Sequence, residues 1–272
     1  MKDMMVSDKK KDTMKNSETA GHAGEEIVGV EGAKEDTGRF RDGLKKLGIS
    51  LSEEQIEAFL DYYHLLIETN KVMNLTAITD YEDVITKHFL DSLSLVRVIA
   101  MDQKRRILDL GTGAGFPGIP LKIAFPGQEM VLLDSLNKRV QFLNQVIESL
   151  GLSGIAAVHG RAEDLARQAG YREAFDLCVS RAVANLSSLI EYCLPFVKCG
   201  GYFVSYKSGE VQDEMKKAEH AILLLGGKIE KVETFTIPGS EIERSFVVIK
   251  KIHPTSKKYP RKAGTPSRDP LT

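Results

Sequence analysis

A glycine-rich turn is the part of this sequence with the clearest chemical meaning. Residues 108–118 have the sequence LDLGTGAGFPG, after an apolar run and before a helical pattern. Glycine allows a sharp turn and a close approach by a ligand, and free N–H groups at a helix start favour an anionic group. The turn predicts a ligand site at Gly111 and Gly113; a tight turn without a ligand is the alternative.

The spacing of the glycines distinguishes between cofactors. A dinucleotide fingerprint needs a third glycine at the sixth position, where this chain has Phe116. The pattern is G-x-G-x-G with Asp109 two residues ahead of it. It suits a small nucleoside cofactor without a pyrophosphate, such as S-adenosylmethionine (SAM). An NAD-dependent oxidoreductase is the alternative enzyme class, and Phe116 argues against it.

Two further predicted strands end in residues suited to the same ligand. Asp134 ends the second strand, where a carboxylate can accept hydrogen bonds from both ribose hydroxyls. Its alternative role is to cap the helix that starts near Asn137. Ala162 and Glu163 follow the third strand, where a backbone N–H can meet an adenine edge. Equally, Glu163 suits the start of a helix because acids favour that end of the dipole.

Arg181 follows the fourth predicted strand. Methyltransferases that act on amino groups often carry an Asn- or Asp-Pro-Pro-Tyr motif here, and this chain has none. An acceptor nitrogen with a free lone pair, such as guanine N7, does not need one. Arg181 is then a candidate partner for an anion or for guanine O6; the alternative is a surface ion pair.

The elements that position these residues alternate between strand and helix. Alternation of this kind predicts an α/β fold with a parallel sheet covered on both faces. The last two strands have no clear helix between them, which indicates an antiparallel hairpin at one edge. The predicted strands cover residues 106–110, 130–133, 155–158, 175–179, 202–205, 228–235 and 245–250.

Composition divides the chain into four segments. Residues 1–38 contain no Phe, Tyr or Trp and have a net charge of −3, and we predict that they are disordered. Residues 39–103 form a helical subdomain, with a capping box that begins at Ser52 and a second helix over 81–100. Residues 104–252 form the cofactor-binding domain. Residues 253–272 form a basic arm whose four prolines predict extended backbone.

Several protein classes are excluded. No apolar stretch is long enough for a transmembrane helix, and no secretory or mitochondrial signal is present, so we expect a cytoplasmic protein. Cys178, Cys193 and Cys199 have no zinc-ligand spacing, and the six histidines are scattered, so we expect no metal.

The chain resembles the RsmG (formerly GidB) family of bacterial 16S rRNA guanine-N7 methyltransferases over nearly all of its length after residue 40. The resemblance implies a class I SAM-dependent methyltransferase fold, Rossmann-like, with a helical N-terminal extension. It also implies methyl transfer from SAM to N7 of one guanine in a decoding-region hairpin loop. Cofactor contacts are implied at Gly111, Phe116, Ala162, Glu163 and Arg181. The matching segments are 70–76, 87–92, 108–120, 133–139, 160–163, 180–182 and 257–266.

Candidate contacts to the 16S rRNA of the small ribosomal subunit lie outside the glycine turn. Asn74 is a catalytic candidate beside Arg181, with turn formation as the alternative. His88 can line the RNA pocket or pack through hydrogen bonds, and Lys138, Arg139 and Lys207 can pair with phosphates or face solvent. We expect a monomer. A non-catalytic rRNA-binding assembly factor is the remaining alternative.

Overall fold

A seven-stranded sheet forms the centre of the computed structural model, which describes residues 35–181 and 183–272. Residues 1–34 of the segment predicted to be disordered, 1–38, lie outside the described residues. The strands are β1 (Arg106–Leu110), β2 (Glu129–Asp134), β3 (Ile155–His159), β4 (Phe175–Arg181), β5 (Val197–Ser208), β6 (Gly227–Thr236) and β7 (Glu243–Lys251).

The strand order confirms the predicted α/β class. The order is β3-β2-β1-β4-β5-β7-β6, and the first five strands are parallel. The last two form an antiparallel hairpin, with β7 placed beside β5. The parallel strands β1 and β4 lie side by side where the strand order changes direction, and ligands bind at the carboxyl ends of strands at such a point.

Helices precede the sheet and cover both of its faces. The four-residue helix α7 follows β3 directly, which sets its first residues beside the carboxyl edge of the sheet. The helices are α1 (Gly38–Leu47), α2 (Glu53–Met73), α3 (Tyr81–Val84), α4 (Asp91–Leu93), α5 (Gly118–Ala124), α6 (Asn137–Ser149), α7 (Ala162–Leu165), α8 (Leu186–Cys193), α9 (Gln212–Leu224) and α10 (Thr265–Arg268).

The segment from 81 to 100 differs from the single helix that its spacing predicts. Between α3 and α4 lies a π-helical turn, Ile85–Leu90, and a 3₁₀ turn, Ser94–Arg97, follows α4. The Lys87 carbonyl within the π turn accepts a hydrogen bond from Arg181 on β4 (2.9 Å). This partner is 94 residues away, and helical spacing carries no information about it.

The helical segment shares its apolar core with the sheet. Phe40, Phe59 and Phe89 pack edge to face or tilted, with centroids 4.8 Å and 5.0 Å apart in successive pairs. Tyr62 lies 5.4 Å from Phe116 of the glycine turn. The capping box of α2 forms, since Ser52 and Gln55 exchange hydrogen bonds of 2.9 and 3.3 Å. Residues 36–272 make one compact unit, and the boundaries at 103 and 252 stay predictions.

The arm after residue 252 is docked against the domain. Arg172 donates to the carbonyls of Thr255, Ser256 and Tyr259 at 2.8 to 3.2 Å. The buried Lys251 ammonium donates to the Leu194 carbonyl (2.7 Å).

In the part of the chain that the structure describes, no helix combines the length and apolar character needed to cross a bilayer.

Candidate functional site

Left-handed backbone shapes the glycine turn between β1 and α5. Gly111, Gly113 and Gly115 have φ values of 72°, 62° and 107°, which L-residues with a Cβ rarely adopt. The N–H groups of Gly111 and Thr112 donate to the Leu133 carbonyl at 2.8 and 3.2 Å. These bonds join the turn to the end of β2, so the carboxyl ends of two strands form one surface.

The Asp109 side chain stabilises the glycine turn through hydrogen bonds. Its Oδ2 accepts from the Thr112 hydroxyl (2.6 Å) and from the N–H of Gly118 at the start of α5 (2.8 Å). A Cβ at Gly118 would stand 2.9 Å from that oxygen. Burial is the largest influence on Asp109 and raises its pKa from 3.8 to about 6, against the two hydrogen bonds that lower it. Its role is to fix the turn.

Asp134, at the end of β2, connects three segments. Oδ2 accepts from the N–H of Gly113 (3.0 Å) and from Arg139 (3.3 Å), while Oδ1 accepts from the Leu136 N–H (2.9 Å). The N-cap residue of α6 is Leu136, and its side chain makes no capping hydrogen bond. The carboxylate therefore binds the residue before α6, and it is held rigidly beside the turn.

A first cavity of about 370 Å³ opens at the carboxyl ends of β1, β2 and β3. Four predicted cofactor residues meet in its wall: Gly111, Asp134, Ala162 and Glu163. The wall also contains Tyr192 of α8 and Gly264 of the arm, which sequence reasoning missed. The four cofactor residues could be predicted because they lie at the ends of strands. No comparable sequence pattern indicates Tyr192 or Gly264.

The other predicted cofactor residues lie outside that wall. Gly113 is turned toward Asp134. Phe116 is 5% exposed, and its ring stacks on the His88 imidazole with centroids 4.3 Å apart and planes at 20°. The Arg181 guanidinium carbon lies 5.2 Å from the centre of the same ring. Phe116 thus joins the turn to the helical segment.

Arg181 belongs to a network centred on Asp91. The Asp91 carboxylate, 2% exposed, pairs with Arg181 (2.7 Å) through Oδ2 and with Arg244 of β7 (3.2 Å) through Oδ1. Shared bonding of one carboxylate to two guanidinium groups fixes both arginines. Three elements, α4, β4 and β7, meet at this point.

His88 is a neutral member of the same network. His88 Nδ1 lies 3.1 Å from the Arg181 guanidinium and 3.1 Å from the Lys87 carbonyl oxygen, and Nε2 lies 3.0 Å from the Thr76 hydroxyl oxygen. Burial, and then the positive charge of Arg181, lower the pKa of His88 from 6.5 to about 3. At neutral pH this side chain packs and orients, and it carries no charge.

A second cavity, of about 410 Å³, lies beyond β4 and β5. It contains His88, Arg181 and Lys207, three of the residues predicted for RNA or catalysis, and Arg244. Lys207 donates to the Ala184 carbonyl (3.1 Å) and pairs with Glu214 (2.7 Å). Four cations lie in its wall, together with the carboxylates of Asp91, Glu210 and Glu214.

Three of the residues predicted for RNA binding or catalysis lie in neither cavity wall. Asn74 ends α2 in a left-handed conformation (φ 50°), the turn-forming alternative noted for it. Lys138 donates to the Met73 carbonyl at 3.4 Å, and Arg139 is engaged by Asp134. Among the described residues, no group of three or more His, Cys, Asp or Glu side chains is placed to hold a metal ion.

Comparison with known proteins gives consistent results. The family described as "GidB: rRNA small subunit methyltransferase G" matches residues 55–246. A "Ribosomal RNA small subunit methyltransferase G" of Lachnoclostridium phytofermentans is 55% identical over 87% of this chain and 98% of its own length. One from Alkaliphilus metalliredigens is 49% identical over 85% and 97%. A solved mutant of MtNAS has a TM-score of 0.51 at 14% identity over 79% of this chain and 82% of its own, which is a likeness of fold alone.

Proposed function

The chain belongs to the GidB family of small-subunit rRNA methyltransferases, and from that premise we propose that it methylates N7 of one guanine in 16S rRNA. The methyl donor is SAM, as the family and the turn both indicate. The observation that carries the proposal is the pair of cavities at one sheet edge. One is lined by four of the predicted cofactor residues, and the other by four cations and three carboxylates.

The first cavity fits a nucleoside cofactor. The Asp134 carboxylate is buried at its wall and suits two ribose hydroxyls. Gly111 presents backbone without a side chain, and Ala162 offers an N–H at the start of α7 for a purine edge. When bound, SAM supplies a methyl group on a positively charged sulfur. The work of these residues is to hold and orient it.

The second cavity is the proposed place for the target nucleotide. Its guanine must be unpaired or leave its stack to enter. Lys207 and Arg244 have positive charge for a phosphate or for O6, and Arg181 is fixed between the turn and this cavity. These are proposed RNA contacts, as are the exposed lysines of the arm, so binding should weaken steeply as salt rises.

Proton transfer is not needed at the acceptor. Guanine N7 has a free lone pair in the ring plane, so no residue must remove a proton before attack. His88 fits this chemistry because its low pKa and its bonds to Arg181 and Thr76 give it no role as a base. Catalysis is then mainly alignment of two bound groups, a contribution of roughly 7–11 kcal/mol in favourable cases.

The alternatives are separable by direct experiment. Calorimetric titration with SAM and with NAD should show heat for SAM alone; heat for NAD alone would overturn the proposal. Incubation with SAM and either free 16S rRNA or small subunits, followed by mass spectrometry of rRNA fragments, should reveal 7-methylguanosine. SAM binding without any methylated product on either substrate would favour a non-catalytic assembly factor. Ribosomal substrate implies action in the cytoplasm.

A further inference from the structure

The C-terminal arm reaches the wall of the first cavity. Gly264 lies in that wall, and its N–H donates to Oε1 of Glu163 (2.8 Å). Glu163 is 7% exposed and belongs to the predicted cofactor set. The C-terminal arm, which the sequence predicts to be extended and basic, therefore contacts a proposed ligand-binding residue directly.

Two anchors on α8 hold Gly264 in this place. On one side, Arg261 binds the fully buried Glu191 carboxylate through its backbone N–H (2.6 Å), Nε (3.1 Å) and Nη2 (2.8 Å). On the other side, the Ser188 hydroxyl donates to the Pro266 carbonyl (2.8 Å). Gly264 lies between them with φ 79°.

The Arg261–Glu191 pair fixes the position and direction of the arm. Three donors of one arginine meet both oxygens of one carboxylate, which fixes the direction of the chain as well as its position. Asp269 adds a second, exposed partner for Arg261 (3.0 Å). Burial makes the geometry costly to change, because separation would leave the Glu191 charge unpaired inside the protein.

We propose that Arg261 and Glu191 are positioning residues of the cofactor site: they hold Gly264 against Glu163 and so complete the wall where the adenine of SAM binds. This inference rests on the proposed function, because it assigns the first cavity to SAM. It makes the arm part of the enzyme's cofactor site, separate from any contact between the arm's lysines and RNA.

Cofactor affinity of the full chain is the direct test. Arg261→Ala should raise the Kd for SAM about tenfold, the equivalent of one lost positioning contact. Lys262→Ala is the matched control, since it removes a neighbouring exposed cation of the same arm and should leave the Kd within about twofold. Kinetics should show a raised KM for SAM at unchanged kcat, a split that partial unfolding does not produce.

A double variant distinguishes the loss of positioning from the destabilisation that an unpaired buried charge would cause. Glu191→Gln with Arg261→Gln removes both charges and leaves side chains that can still pack. It should also raise the Kd for SAM, and by the same factor the Kd for 5′-methylthioadenosine, which lacks the amino-acid part. A folded double variant with wild-type affinity for both ligands would overturn the inference alone. Wild-type protein that binds no SAM would overturn the proposed function with it.

Discussion

The imidazole of His88 lies face to face with the ring of Phe116, with 4.3 Å between centroids and 20° between planes. Phe116 belongs to the glycine turn of the first cavity, and His88 lines the second. Arg181 contacts both, through a hydrogen bond to His88 and by lying over Phe116. These three side chains are the packed connection between the proposed cofactor site and the proposed RNA site.

Burial of His88 should appear in the pH dependence of stability. Its pKa falls from 6.5 to about 3 on folding, so between these values the unfolded chain binds a proton that the folded chain does not. The free energy of unfolding contributed by His88 is complete above about pH 6.5 and declines as pH falls toward 3, by at most about 1.4 kcal/mol per pH unit.

His88→Gln removes this dependence. Urea unfolding of wild type and variant from about pH 7 to about pH 4 should show the wild type losing its advantage as pH falls. Asp109, whose raised pKa gives the opposite slope between 3.8 and about 6, is present in both proteins and cancels in the difference. A difference between the two proteins that stays constant with pH would contradict this reading of His88.

Gly111→Ala should impair SAM binding more than folding. The backbone at Gly111 has φ 72°, and an added Cβ would overlap the Val183 side chain at the cavity wall. Left-handed backbone costs a side-chain-bearing residue roughly 1–2 kcal/mol. We expect the Kd for SAM, measured by calorimetry, to rise at least about tenfold.

Gly200→Ala is the matched control for that substitution. Gly200 also has a left-handed φ, 86°, but a Cβ there meets nothing within 4 Å and lies at the far end of β5. Both variants should lose similar stability in urea, and only Gly111→Ala should lose affinity. Equal affinities for SAM in the two variants would remove Gly111 from the site.

Local patterns were sufficient to predict the strands and the residues at their ends. β1 begins and ends where its apolar run does, and Gly111, Asp134, Ala162 and Glu163 share one cavity because parallel strands end at one edge. Contacts between residues distant in sequence were beyond such patterns. Gly264 reaches the same cavity through a bond to Glu163, 101 residues away.

The helical segment shows the same limit. Apolar spacing over 81–100 predicts one helix, but Arg181 binds the Lys87 carbonyl and Asp91 is drawn between two arginines. The broken helix is the shape that these tertiary bonds favour. In the sequence, Asp91 is three residues after His88, which places the two on one face of a predicted helix. Its ion pairs with Arg181 and Arg244 join residues distant in the sequence, so helical spacing does not predict them.

Asp91 should be important for stability. Asp91→Asn leaves two guanidinium groups, whose side chains are 14% and 22% exposed, without their shared charge partner. Loss of one partner of a buried pair typically costs about 3–5 kcal/mol. Asp83→Asn is the control and should cost under about 1 kcal/mol, because Asp83 of α3 is half-exposed (47%) in its ion pair with Lys87 of the π-helical turn. Urea unfolding measures both, and similar costs would show that the Asp91 network is energetically ordinary.

Lys207 should act on RNA binding alone. It lies in the second cavity beside Arg181 and Arg244 and outside the wall of the first. Lys207→Ala should therefore raise the KM for 16S rRNA or the small subunit while the Kd for SAM stays unchanged. If Lys207 meets one phosphate, the slope of log affinity against log salt should also become shallower by about 0.7 for a single-stranded target.

Lys198→Ala supplies the comparison for Lys207. Lys198 is on the same strand, β5, but at its opposite end, where it pairs with Asp176. Both substitutions remove one positive charge, so an effect of net charge alone would be equal in the two variants. We expect the salt slope and the KM for RNA to change for Lys207→Ala only, because a specific contact requires position as well as charge. Equal changes in both variants would exclude the second cavity as the RNA site.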